Sequence, residues 1–185
     1  QEGERQSISS IKVEGFKKMK EEVVLYDVKF KEGDIVNTTK IRETLHKMKA
    51  TGYYRDVLID YIPADDPKKP NQGELLITVT EANTQFISFG FGASSSGPQG
   101  QFSYGNQNLF GSGKGLSIQA MKSKELSKLG LVFNDTHLFG SDYTMQARAS
   151  YEDRIGNEFD ETRIRTRIMI EKAITEKLKF GIGAR

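Results

Sequence analysis

Apolar residues recur along this chain in two regimes, and the change falls near Asn83. Before it, short strand and helix periods take turns. Residues 7–13 read as a strand with Ile11 and Val13 on one face and Gly15 ending it. Residues 19–26 are predicted as a helix. Residues 39–51 give a stronger helical signal: Ile41, Leu45 and Met48 fall at i, i+4 and i+7, Thr38 or Thr39 is placed to cap the start, and Gly52 follows the end. Val57, Ile59 and Tyr61 alternate in the next strand, residues 63–73 make a polar loop, and Leu75, Ile77 and Val79 alternate in the last strand. The order β-α-α-β-β predicts a three-stranded sheet covered on one face by two helices.

Beyond Asn83 the period is two almost throughout. Ile87, Phe89, Phe91 and Ala93 alternate with Ser88, Gly90 and Gly92, and Leu116, Ile118 and Ala120 alternate with Ser117 and Gln119. Tyr143, Met145, Ala147, Ala149 and Tyr151 oppose Thr144, Gln146, Arg148, Ser150 and Glu152. Ile164, Thr166, Ile168 and Ile170 oppose Arg163, Arg165, Arg167 and Glu171, and Leu178, Phe180, Ile182 and Ala184 oppose Lys179, Gly181, Gly183 and Arg185. About seven strands are expected, each with an apolar and a wet face. Residues 111–113 and 138–142 are read as tight turns at one end; residues 94–98, 122–128 and 153–161 are read as longer polar loops at the other.

Composition decides what such strands are for. The 185 residues hold 27 Lys and Arg against 25 Asp and Glu, a formal charge of +2 that argues against a nucleic-acid partner. There is no Cys, and the two His, His46 and His137, lie far apart, so no catalytic thiol, metal cluster or cofactor site is predicted. No apolar run approaches the ~20 residues of a membrane helix. Membrane strands need only ~9–11 residues with every second side chain toward lipid, which leaves average hydropathy low. Arg on a lipid-facing position costs about 2–4 kcal/mol at mid-bilayer, so Arg148, Arg163, Arg165 and Arg167 are assigned to a water-lined lumen. The first five residues are polar without an apolar signal region, which reads as a fragment or a mature segment.

Several motifs have a bland reading that wins. The Gly111-Ser112-Gly113-Lys114 run lacks the first Gly and the Ser/Thr of a phosphate loop and is read as a hairpin turn. His137 beside Asp135 is read as a surface residue at a turn rather than an acid–base pair. Asp65-Asp66 and Lys68-Lys69 belong to a solvated loop, and Tyr53-Tyr54 to the core or the sheet.

The stretch 8–81, with the ordered set IKVEG, KFKEGDIVNTTKIRETLHKM, GYYRDVLIDY and a closing LLITVTEANT, resembles a POTRA module. The pair NLFGSGKG at 108–115 and HLFGSDY at 137–143 is similar to the strand-end turns of BamA-type barrel assembly factors, and FGFGASSSGPQGQFSYGNQNLFG resembles their first hairpin. The resemblance implies a POTRA domain over residues 1–83, in the periplasm, and the N-terminal portion of an antiparallel outer-membrane β-barrel over 84–185, incomplete in this chain. It also implies a non-catalytic role: receiving unfolded outer-membrane proteins and inserting them into the bilayer. Partners would be those substrates, accessory lipoproteins, other POTRA modules and outer-membrane lipid. The first barrel strand, Gln85, Phe86, Ile87, Ser88, Phe89, Gly90, Phe91, Gly92 and Ala93, would template an incoming strand, with Gly90 and Gly92 easing close approach. The POTRA edges, represented by Ile8, Ile11 and Val13 or by Val57 and Ile59, offer a second pairing surface. Two rivals stand beside this reading: a secretion-type or translocation-module relative of the same superfamily, and a soluble all-β binding domain fused to an α/β module.

Overall fold

A computed structural model describes residues 6–64, 71–94, 97–156, 159–173 and 178–185, and the chain divides into two units, Gln1–Asn83 and Thr84–Arg185. The polar N-terminus and the Asp65-Asp66 and Lys68-Lys69 pairs lie outside the described residues.

In the first unit β1 (Ser7–Glu14), α1 (Glu21–Tyr26), α2 (Thr38–Ala50), β2 (Tyr54–Pro63) and β3 (Gln72–Glu81) follow the predicted order. β3 is central in a sheet of order β1-β3-β2, parallel to β1 and antiparallel to β2. Its Leu75, Ile77 and Val79 are at most 2% exposed. They join Ile8, Val13, Val24, Met48 and Val57 in one core, each such burial contributing roughly 1.5–3 kcal/mol. A register shift between Ile8 and Ser10 brings Ile8 and Val13 to the same face, because one added residue offsets a period of two. Tyr53 and Tyr54 are buried, their rings edge to face at 6.3 Å.

Both helices start elsewhere than predicted. α2 is capped by Asn37, whose side chain accepts the Thr39 N–H at 2.8 Å, rather than by Thr38 or Thr39. α1 begins at Glu21 instead of residue 19. The N–H groups of Lys17, Lys18 and Met19 all donate to the Glu81 Oε1, at 2.7, 2.8 and 2.7 Å, so these donors serve the end of β3 and the helix starts after them. Gly15 must be glycine: its φ is +89°, and a Cβ there would meet the Val79 carbonyl oxygen at 2.2 Å.

The second unit is a seven-stranded antiparallel meander of order β10-β9-β8-β7-β6-β5-β4. Its strands are β4 (Gln85–Ser94), β5 (Gly97–Asn106), β6 (Lys114–Ser123), β7 (Leu126–Asp135), β8 (Tyr143–Ile155), β9 (Asp160–Ala173) and β10 (Lys179–Ala184). The expected distribution of connection lengths is reversed. Among the described residues the connection at 124–125 is short, and those at 107–113 and 136–142 are longer. Polar residues read as loop continue the ladder, as in Lys122↔Ser127 and Arg154↔Glu161, because backbone pairing needs no apolar side chain. Thr162 Oγ1 donating to Asp153 Oδ1 at 3.1 Å adds a side-chain rung there.

Candidate functional site

Register fixes what each face of the seven-stranded sheet carries. One face reads across neighbouring strands as Ile87, Tyr104, Ile118, Leu131, Ala149 and Thr166, and in the next row as Phe89, Phe102, Ala120, Leu129, Tyr151 and Ile164. The opposite face reads Ser88, Ser103, Gln119, Gly130, Ser150 and Arg165. The apolar face is bare: Phe89, Ile164 and Phe91 are 64%, 75% and 89% exposed. The most deeply buried of the described side chains of this unit are polar instead: Glu152 on the opposite face, with Asn108 and Asp135 at the end of the sheet that carries the longer turns. A sheet inverted in this way matches the two faces of a transmembrane barrel wall, apolar toward lipid and polar toward a lumen.

The four arginines predicted for the lumen all sit on the polar face. Glu152, 6% exposed, organises part of it: Arg165 and Arg154 approach its carboxylate at 3.1 and 3.2 Å and Lys128 at 3.9 Å. Arg163 pairs with Glu161. Arg148 and Arg167 stand directly opposite each other in the β8–β9 ladder. Sequence periodicity marked these positions as wet; the acid that ties the cations together was visible only once the register was known.

β4 is an outermost strand, and its backbone polarity follows from one bond. Gln107 N–H donates to the Thr84 carbonyl at 2.9 Å, so inward-bonded and outward-pointing residues alternate from there. Phe86, Ser88, Gly90 and Gly92 bond β5, whereas Ile87, Phe89, Phe91 and Ala93 turn their N–H and C=O groups to the open edge. Gly90 does admit a close neighbour: a Cβ there would meet the Gln101 side chain at 2.6 Å, so that amide lies across the glycine, while Gly92 leaves ordinary contact distance to Gln99.

The two edges of the smaller sheet differ. Beside β1, the segment before α2 folds back: Ile8 N–H donates to the Asp34 carbonyl at 2.9 Å, Gly33 N–H to the Ile8 carbonyl at 2.8 Å, and Val36 N–H to the Gln6 carbonyl at 2.9 Å. The backbone of Ile8 is thus already engaged. β2 carries no strand on its outer side among the described residues. The Ala64 N–H bond to the Gln72 carbonyl sets its alternation and leaves Val57, Ile59 and Tyr61 facing outward. Asp56 Oδ1 accepts the Val57 N–H at 2.9 Å and Pro63 has no N–H, so the usable donors narrow to Ile59 and Tyr61. Ile8, Val13 and Val57 turn their side chains into the core. An added strand would therefore read backbone, not those side chains.

The segments expected as tight turns, 111–113 and 138–142, lie within the two longer connections, and their backbone is strained. At Leu109–Ser112 and Leu138–Ser141 the last N–H bonds the first carbonyl, at 3.0 and 3.1 Å, and both central residues have positive φ: Phe110 and Gly111 at 52° and 69°, Phe139 and Gly140 at 53° and 71°. Glycine or asparagine suits such a turn. A phenylalanine there costs roughly 1–2 kcal/mol. The repeated Leu-Phe-Gly-Ser marks both turns in the sequence, but alternation alone does not reveal the positive φ of its Phe.

Residues 6–82 match the POTRA family model, described as a surface antigen variable number repeat. The chain is 25% identical over 174 residues to the outer membrane protein assembly factor BamA of Neisseria meningitidis, covering 94% of this chain and 21% of that protein. It is 25% identical over 150 residues to a putative outer membrane protein assembly factor of Treponema pallidum, covering 78% of this chain and 18% of that one. Its fold is similar to the crystal structure of BamA from Haemophilus ducreyi lacking POTRA domains 1–3, with a TM-score of 0.82 at 18% identity, over 98% of this chain and 35% of that chain. CdiB from Escherichia coli is similar at a TM-score of 0.61 and 13% identity, over 97% and 36% of the two chains. The chain thus spans about a fifth of the length of the curated relatives it matches.

Proposed function

We propose, from the premise that this chain is a POTRA module joined to the opening strands of a BamA-type barrel, that it belongs to a protein that assembles β-barrel proteins into the outer membrane. The apolar face of the seven-stranded sheet contacts lipid, the Arg-bearing face lines the lumen, and the POTRA module lies in the periplasm. Binding and templating suffice for this work, so no catalytic group is invoked. The observation that carries the reading is an inverted sheet whose outermost strand, β4, still points N–H and C=O groups outward at Ile87, Phe89, Phe91 and Ala93.

An unfolded outer-membrane protein arriving as an extended chain would add to that edge by β-augmentation, gaining backbone bonds without a sequence requirement. β2 of the POTRA module, through Ile59 and Tyr61, offers a first and weaker edge of the same kind. Side chains contribute little to either edge, which suits a surface that must accept many substrates.

The chain has no Cys, so single cysteines report pairing cleanly. Phe89→Cys should cross-link to an unfolded outer-membrane protein carrying a cysteine in its terminal strand. Leu131→Cys, on a strand already paired on both sides, should not. Equal cross-linking at both positions would sink the edge-template reading. Substrate recovered across the membrane rather than in it would favour the translocator alternative.

A further inference from the structure

Phe110 and Phe139 are 89% and 96% exposed, and only Phe91, at 89%, is as bare among the large apolar side chains described. Each sits in a backbone conformation that its own side chain disfavours, in a turn that is otherwise tightly held. The two turns use the same bonds. Asn106 Oδ1 accepts the Asn108 N–H at 2.9 Å, and Asp135 Oδ1 accepts the His137 N–H at 3.1 Å. Ser112 Oγ donates to the Leu109 carbonyl at 2.7 Å and Ser141 Oγ to the Leu138 carbonyl at 2.5 Å. Thr136 Oγ1 donates to the Gly113 carbonyl at 3.0 Å and ties one turn to the other. The turn does not need the ring, and the ring gains nothing inside the protein. A benefit from outside the molecule accounts for its presence twice.

Their place in the sheet says what lies outside. Both turns occupy the end where β4 begins. There the apolar face closes with Leu116, Phe133 and Ile168, and the rim beyond holds the Lys114–Asp135 ion pair at 3.6 Å and Lys172 over the Tyr143 ring at 5.0 Å. Tyrosine, lysine and ion pairs at the border of an apolar band are the composition of a bilayer's headgroup level, where aromatic side chains collect. We infer that Phe110 and Phe139 are paired anchors that insert into the headgroup–acyl boundary of the leaflet at this end of the sheet, fixing the depth of the barrel wall. This rests on the lipid-facing reading of the sheet.

The chain contains no Trp, so Phe110→Trp, Phe139→Trp and Leu131→Trp each create a single emitter. Each variant is reconstituted in vesicles of phosphatidylethanolamine and phosphatidylglycerol whose acyl chains are brominated near the headgroup or near the chain end. Expected for positions 110 and 139 is a blue shift with stronger quenching by the shallow bromines; position 131 should show the reverse order. Water-like emission at 110 and 139 with quenching at 131 overturns the anchors and leaves the lipid-facing reading intact. No quenching at any position overturns both. A shift at 110 and 139 that appears only on adding an unfolded outer-membrane protein assigns the turns to protein capture and also overturns the inference. The double variant Phe110→Asn with Phe139→Asn, which suits the turn better, should keep the fold yet lower vesicle affinity on the order of tenfold. Unchanged affinity counts against it.

Discussion

β3 and β4 are separated by three residues and share one pattern, yet their apolar side chains have opposite fates. Leu75, Ile77 and Val79 are 0–2% exposed, whereas Ile87, Phe89 and Phe91 are 61–89% exposed. Two helices cover the first sheet; no element among the described residues covers the second. The difference shows that alternation identifies an apolar face without saying what will cover it. In one unit the cover is protein. In the other, the buried polar residues Asn108, Asp135 and Glu152 and the bare aromatics point to a cover supplied by the surroundings.

The contrast is most sharply tested by truncating one residue on each face. Ile77→Ala should lower stability by about 2–5 kcal/mol in denaturant unfolding, since a packed core cannot fill the cavity. Leu131→Ala should cost far less in lipid, where acyl chains refill the space. Equal costs would mean that the second sheet packs in a dry protein core. Leu131→Arg should destabilise the lipid-embedded sheet by about 2–4 kcal/mol, while Gln119→Arg, on the opposite face, should be nearly neutral; reversal would exchange lumen and lipid.

A smaller effect concerns Glu81. Partial burial raises its affinity for a proton, but the N–H donors of Met19, Lys17 and Lys18 outweigh that and hold its carboxyl below the usual range. Its contribution is therefore complete above the ordinary carboxylate range and is lost as pH falls through the lowered value. Glu81→Gln should cost about 1–3 kcal/mol at neutral pH and flatten the acid limb of stability for the first unit. An unchanged acid limb would show that the three-donor contact is not formed in solution. The smallest change expected is Phe110→Asn, which should leave the second unit as stable or raise it by less than about 1 kcal/mol in the same assay, because asparagine tolerates positive φ. A clear loss would mean that the ring packs within the protein.

Local chemistry and period were legible in the sequence alone. The β-α-α-β-β order, the Ile41/Leu45/Met48 stripe, Gly52 at the end of α2, seven alternating strands and the side assigned to Arg148, Arg163, Arg165 and Arg167 all follow from side-chain spacing, which the backbone periods of 3.6 and 2 convert directly into faces. Tertiary structure alone decided what depends on a distant partner. Glu81 reaches across to residues 17–19 and delays α1. The segment before α2 folds onto β1 and closes half of one edge, so β2 remains. Glu152 gathers cations from three strands, and polar residues at the strand ends lengthen the hairpins. Each of these rests on hydrogen bonds or ion pairs between residues far apart in the chain or on different strands. The spacing of apolar positions carries no record of such bonds, because it encodes which side a residue faces and not whom it meets there.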